Sequence, residues 1–144
     1  MPVWLLLTYT VPRHPSARRV YVWRKLKRLG AVALQDAVWT LPLTGPNREQ
    51  FQWLAAEVSE LGGEAMVWEG KTLSSDQETV LVGRFEAVIN EPYQRILKEL
   101  KKPKRDLAAL SSEFQKVQSQ DYFQSRLGQR VRRALLSARG GPTR

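Results

Sequence analysis

Seven basic side chains, Arg13, Arg18, Arg19, Arg24, Lys25, Lys27 and Arg28, crowd into sixteen positions with no acid among them. An ordinary solvated helix interleaves both signs, whereas an unbroken run of guanidinium and ammonium groups is suited to phosphate oxygens. On a helix, Arg24, Lys27 and Arg28 point away from the apolar stripe of Val22, Leu26 and Leu29, which predicts a phosphate-binding face. Arg126, Arg130 and Arg133 stack one above the next at helical spacing and form a second candidate row, which a neighbouring acidic helix would make structural. In the run Arg95, Lys98, Lys101, Lys102, Lys104 and Arg105, the last four surround Pro103 and read either as an ordinary exposed interhelical loop or as a further phosphate-binding patch. Tyr21 and Trp23 flank the first cluster, placed to stack on a base or to cover a dimer seam, with Trp23 expected to be partly buried.

Other chemistries lack their residues. The chain has no cysteine and one histidine, which excludes disulfides, thiolate nucleophiles, iron–sulfur clusters and cysteine-based zinc sites. Its acids are scattered without EF-hand or HExxH spacing, and no G-x-S-x-G, G-x-x-x-x-G-K-[ST] or G-x-G-x-x-G occurs. His14 lies in a proline-bounded loop beside Arg13 and reads as a surface or phosphate-contacting residue. Asp36, among apolar neighbours in a β-prone stretch, is the one acid whose setting invites a role. Its structural alternatives are a bulge residue bonded to backbone, or a partner for Arg18 or Arg19. No catalytic residue, metal site or cofactor is expected.

The elements that must position these side chains follow from periodicity. The 144 residues, 42% hydrophobic and 26% charged, allow one compact domain with a helical appendage, and the formal charge of +9 makes a polyanion the first partner to test. Val3 to Val11 reads as a strand buried on both faces and Ala17 to Leu29 as a helix capped by Ser16 and stopped at Gly30. Ala31 to Leu43 is β-prone as one long strand or two short ones, with a bend, bulge or tight hairpin at Gln35-Asp36. Asn47 is expected to cap a helix from Arg48 to Leu61, Gly62-Gly63 closes it, and Glu64 to Glu69 makes the last strand. This β-α-β(-β)-α-β order is the ferredoxin-like plan, an α/β (α+β) fold.

Beyond it the pattern is helical only. Three short helices are expected around Leu81 to Ile89, Tyr93 to Leu100 and Leu107 to Val117, separated at Pro92 and Pro103, and a fourth spans Asp121 to Ala138. The domains are therefore read as 1–72 ferredoxin-like, 73–139 a helical extension, and 140–144 a frayed tail. Trp4, Trp39, Trp53 and Trp68 are expected in the core. The apolar start is too short for a signal h-region and nothing approaches a membrane span, so a cytoplasmic protein without membrane contact is expected.

Several of these stretches resemble a known family. Trp4-Leu5-Leu6-Leu7-Thr8-Tyr9, Val11-Pro12-Arg13, Arg19 to Lys27 and Leu29-Gly30-Ala31-Val32 are similar to the N-terminal domain of the chromate resistance regulator ChrB. Leu34 to Pro42, Leu61-Gly62-Gly63-Glu64-Ala65, Arg84-Phe85, Tyr93 and Asp121-Tyr122-Phe123 continue the resemblance. It implies a cytoplasmic, DNA-binding transcriptional regulator of a chromate resistance operon, with chromate as effector. Usual members carry a further C-terminal domain that this chain is expected to lack, so the resemblance implies nucleic-acid binding more firmly than chromate sensing. More remotely, the chain looks like the small CRISPR-associated nucleases of spacer acquisition and the similar domain of the repressor PaaX. Where those nucleases end the first strand with a metal-binding Asp, this chain has Thr10, so metal-dependent cleavage is not expected. That resemblance also implies a homodimer formed through the sheet.

The combined reading is a dimeric duplex-DNA-binding regulator with Arg13, Arg18, Arg19, Arg24, Lys25, Lys27 and Arg28 on phosphates and Arg126, Arg130 and Arg133 in support. Two rivals differ in what they predict. A metal-dependent nuclease would have to use Asp36, and a protein-binding sensor or assembly domain would show no salt-sensitive DNA affinity.

Overall fold

The computed structural model describes residues 2–140. Strand β1 (Trp4–Thr10) pairs antiparallel with β3 (Val38–Pro42) on one side and β4 (Glu64–Gly70) on the other, and β2 (Val32–Gln35) lies outside β3. With helices α1 (Ala17–Arg28) and α2 (Gly45–Glu60) inserted, the sheet order β2-β3-β1-β4 is the expected ferredoxin-like arrangement. Register explains the core. Leu5 opposes Leu41 and Leu7 opposes Trp39, so these four share a face, and Val22 and Leu26 of α1 with Phe51, Leu54 and Val58 of α2 bury against it.

The stretch from 31 to 43 resolves into two short strands joined by a turn at Asp36-Ala37, with the register slipping between Ala33 and Gln35. Asp36 is therefore exposed at a hairpin turn and not held mid-strand. Helix α2 starts earlier than expected. Thr44 caps it, its hydroxyl accepting from the Asn47 N–H at 3.1 Å, with Pro46 in the first turn, where no N–H is needed. Asn47 turns inward instead and donates its amide to the Pro42 carbonyl at 3.0 Å. At α1, Ser16 occupies the cap position but its hydroxyl makes no cap bond. Gly63 is obligatory, because a Cβ there would lie 2.0 Å from the Thr10 carbonyl oxygen where β4 begins.

Trp4 and Trp39 are buried, but Trp53 and Trp68 are not: they are 64% and 49% exposed. Trp53 lies off the Phe51-Leu54-Val58 stripe of α2. Trp68 opposes Leu6 on the sheet face away from α1 and α2, and its indole N–H donates to the Thr8 hydroxyl at 3.1 Å. Trp23, expected to be partly buried, is 49% exposed.

The chain forms two compact units, dividing between Val80 and Leu81. The division falls inside α3 (Ser75–Leu100), whose first turn is tied to the sheet by the Trp4 indole N–H donating to buried Glu78. Two helices broken at Pro92 were expected here; one 26-residue helix runs through it. The reason is packing: Leu81, Phe85, Ile89, Tyr93 and Ile96 step at intervals of four, four, four and three, a single buried stripe that outweighs the bond Pro92 cannot make.

The second unit adds α4 (Leu107–Ser119), capped by Asp106, and α5 (Arg126–Ala138). Helix α5 begins five residues later than expected. Asp121 accepts from the Ser125 N–H and the Tyr93 hydroxyl, Gln124 takes a φ of 52°, and Ser125 then caps the helix through the Leu127 N–H. Ile89, Tyr93, Ile96, Phe114, Val117, Val131 and Leu135 form its core. Gly128 lets α5 approach Tyr93, since a Cβ would sit 2.8 Å from two ring carbons and from the hydroxyl oxygen. The Phe85 ring meets Tyr122 and Phe123 edge-on at 6.2 and 5.7 Å. The expected frayed tail beyond Gly140 lies outside the described residues. Among the described residues, no helix is long and apolar enough to cross a membrane.

Candidate nucleic-acid interface

Helix α1 is held on α2 by its own polar side chains as well as by Val22 and Leu26. Arg18 donates to the Leu61 carbonyl at 3.1 Å, capping the end of α2, and Lys25 lies 3.9 Å from Glu57. The Tyr21 hydroxyl donates to Glu57 too, and that bond pushes it above the ordinary tyrosine range. Two of the seven predicted phosphate contacts, Arg18 and Lys25, are therefore engaged within the fold. Arg13, Arg19, Arg24, Lys27 and Arg28 are exposed, the first in the loop before α1 and the others along the helix.

Lys25, Lys27 and Arg28 sit in the last turn of α1, where cations suit the helix C-terminus. Lys27 lies 5.6 Å from the centroid of the Trp23 ring and Lys25 5.7 Å from that of Tyr21, so both rings are part of the positive surface.

In the second unit, Arg126, Arg130 and Arg133 are exposed on α5 and make no ion pair among the described residues. Arg132, which the one-face reading of this helix passes over, joins them. It lines a hollow of about 310 Å³ with Phe114, Gln115, Gln118 and Leu135, and with Arg133 a second of about 580 Å³ that includes Tyr93, Asp121 and Gln129. Its signal in the sequence was composition: from Arg126 to Gly140 there are five arginines and no acid. Burial and the bond to Asp121 push the Tyr93 hydroxyl far above its usual range. In the basic run around Pro103, Lys102 pairs with Glu99 at 2.8 Å and Arg105 donates to the Lys102 carbonyl, the ordinary bonds of an exposed interhelical turn.

Thr10, at the exposed end of β1, is paired with Glu64. Asp36 and Arg19 flank one shallow depression without forming an ion pair. Among the described residues, no three His, Asp or Glu side chains converge as a metal site.

The family model for Protein ChrB, N-terminal, matches residues 19–135. The chain belongs to the ChrB N-terminal family. A matched relative, Protein ChrB of Cupriavidus metallidurans, is 33% identical over 75 residues, a stretch that covers 52% of this chain and 23% of the relative. The chain thus matches about a quarter of that protein's length. No solved structure matches it. The ChrB N-terminal match runs from Arg19 in α1 to Leu135 in α5 and so takes in the first basic cluster from Arg19 onward and the row Arg126, Arg130 and Arg133. In this ChrB N-terminal chain, Phe85, Tyr122 and Phe123 pack together and Tyr93 bonds to Asp121, so the helical residues that carry the resemblance hold the second unit's fold.

Proposed function

We propose that this ChrB-family chain binds duplex DNA as a transcriptional regulator linked to chromate resistance, with α1 lying against phosphates. Family membership supports the link to chromate resistance. The observation that carries DNA binding is the division of labour on α1: Arg18 and Lys25 fix the helix, while Arg19, Arg24, Lys27 and Arg28 stay exposed without an intervening acid. A C2 homodimer would place two such helices in fixed register for a two-fold operator. Exposed Met66 and Trp68, on the sheet face away from α1 and α2, support pairing through the sheet. We read the protein as non-enzymatic: Thr10 offers no carboxylate, and Asp36 stands on a turn apart from other acids.

The test is binding to the duplex upstream of the protein's own coding sequence against a scrambled duplex, with and without chromate. Sequence-dependent binding, lost in Arg24→Ala/Lys27→Ala/Arg28→Ala and altered by chromate, is expected. Equal weak binding to both duplexes, or none, refutes the regulator. Cleavage of labelled DNA with added magnesium or manganese, abolished by Asp36→Ala, would establish a nuclease instead.

A further inference from the structure

We propose that the depression between α1 and the β2–β3 turn receives an unpaired DNA base, guanine above all. The inference rests on DNA binding by α1 and assigns it a second mode of contact. The depression, about 400 Å³, is lined by Tyr9, Ser16, Arg19, Val20, Trp23 and Asp36, and its size falls among small-ligand sites. Two aromatic rings stand in its wall, and one of them, Trp23, is half exposed on the helix that also exposes Arg19, Arg24, Lys27 and Arg28. An exposed indole surrounded by cations is what a stacking platform for nucleic acid requires, because every base offers a π-face and the phosphates follow the charge.

The polar groups at the rim are unspent. Arg19 and Asp36 form no ion pair with each other or with any described residue, and the Ser16 hydroxyl, in cap position, does not cap its helix. Arg19 therefore offers donors and Asp36 an acceptor pair within one hollow. Guanine carries the complement, with acceptors at O6 and N7 and donors at N1 and N2. A base inside a matched duplex cannot enter, since its faces are stacked and its pairing edge is occupied. The ligand is a base that is already extrahelical or can be extruded at little cost.

The experiment measures anisotropy of three labelled duplexes of one sequence: fully matched, with one bulged dG, and with one bulged dT. The wild type is expected to bind the dG bulge roughly tenfold tighter than the matched duplex, as one stacked base supplies. Trp23→Ala should abolish that preference, Trp23→Phe should restore it, and Asp36→Asn should erase the advantage of dG over dT. Equal binding to bulged and matched duplexes, a preference that survives Trp23→Ala, or equal affinity for dG and dT would each overturn the assignment. Failure to bind any of the three removes the DNA-binding reading as well. Matched-duplex binding without a bulge preference removes this inference alone.

Discussion

Neutralising α1 should change the salt dependence of DNA binding by an amount that the structure sets. Of the seven bases between Arg13 and Arg28, Arg18 and Lys25 are bonded to α2, and Arg13, Arg19, Arg24, Lys27 and Arg28 are exposed. Each neutralised phosphate releases counterions and contributes about −0.9 to the slope of log K against log salt, so five contacts give a slope of about −4.5 per chain. Arg24→Ala/Lys27→Ala/Arg28→Ala leaves Arg13 and Arg19 and a slope of about −1.8. Between about 50 and 200 mM salt the wild type then loses roughly 500-fold in affinity and the variant roughly 12-fold, and a dimer bound by both copies doubles each slope. The assay is anisotropy of a labelled duplex across that range, with a circular-dichroism melt to show that the variant is folded. Arg18→Ala is the control: it should lower the melting temperature and leave the slope near the wild-type value. A triple variant with the wild-type slope, or an Arg18→Ala slope reduced as much as the triple's, would refute this division of the cations.

Three further outcomes test the fold that carries the surface. Gly128→Ala places a methyl 2.8 Å from the Tyr93 ring and should destabilise the helical unit by about 1–3 kcal/mol, read as a lower melting temperature. Tyr93→Phe should destabilise at neutral pH by removing the bond to Asp121. Because the folded state raises the Tyr93 pKa above 10.0, that contribution is present below pH 10 and lost as pH rises further, so wild type and Tyr93→Phe should converge in melting temperature under alkaline conditions. Trp4→Phe removes the indole donor from buried Glu78, whose second oxygen already lacks a partner, and should cost about 1–3 kcal/mol in denaturant melts. The same change in a Glu78→Leu background should cost much less.

How far the sequence reading carried depended on whether a feature was set by local pattern or by what packs against it. The β-α-β-β-α-β order was readable because each element carries its own period and its own stop, such as Gly30 and Gly62-Gly63. Helix α3 was not, since Pro92 is a strong local breaker and only the continuous stripe from Leu81 to Ile96 overrides it. Trp53 and Trp68 misled for the opposite reason: both sit in well-formed elements, but one residue along a helix or strand decides which face a ring takes. At the candidate interface the density of charge was visible, whereas the engagement of Arg18 and Lys25 was not. Their partners, the Leu61 carbonyl and Glu57, lie 43 and 32 positions away and meet them only in the folded unit.

That engagement bears on how a surface so basic can be specific at all. Long cationic side chains on a free helix would neutralise phosphates wherever they met them and fix no register. Here the helix beneath them is set by contacts on its inner side: Val22 and Leu26 in the core, Arg18 on the Leu61 carbonyl, and Tyr21 and Lys25 both on Glu57. Glu57 thus draws on the inner residues Tyr21 and Lys25, while Arg19, Arg24, Lys27 and Arg28 are exposed on the outer side. Removing Glu57 would free Lys25 to join the outer cations but release two of the holds on the helix. A gain in non-specific affinity accompanied by a loss of discrimination between duplexes is therefore the expected signature of Glu57→Gln. A variant that gained affinity while keeping its discrimination would show that the register comes from elsewhere in the chain.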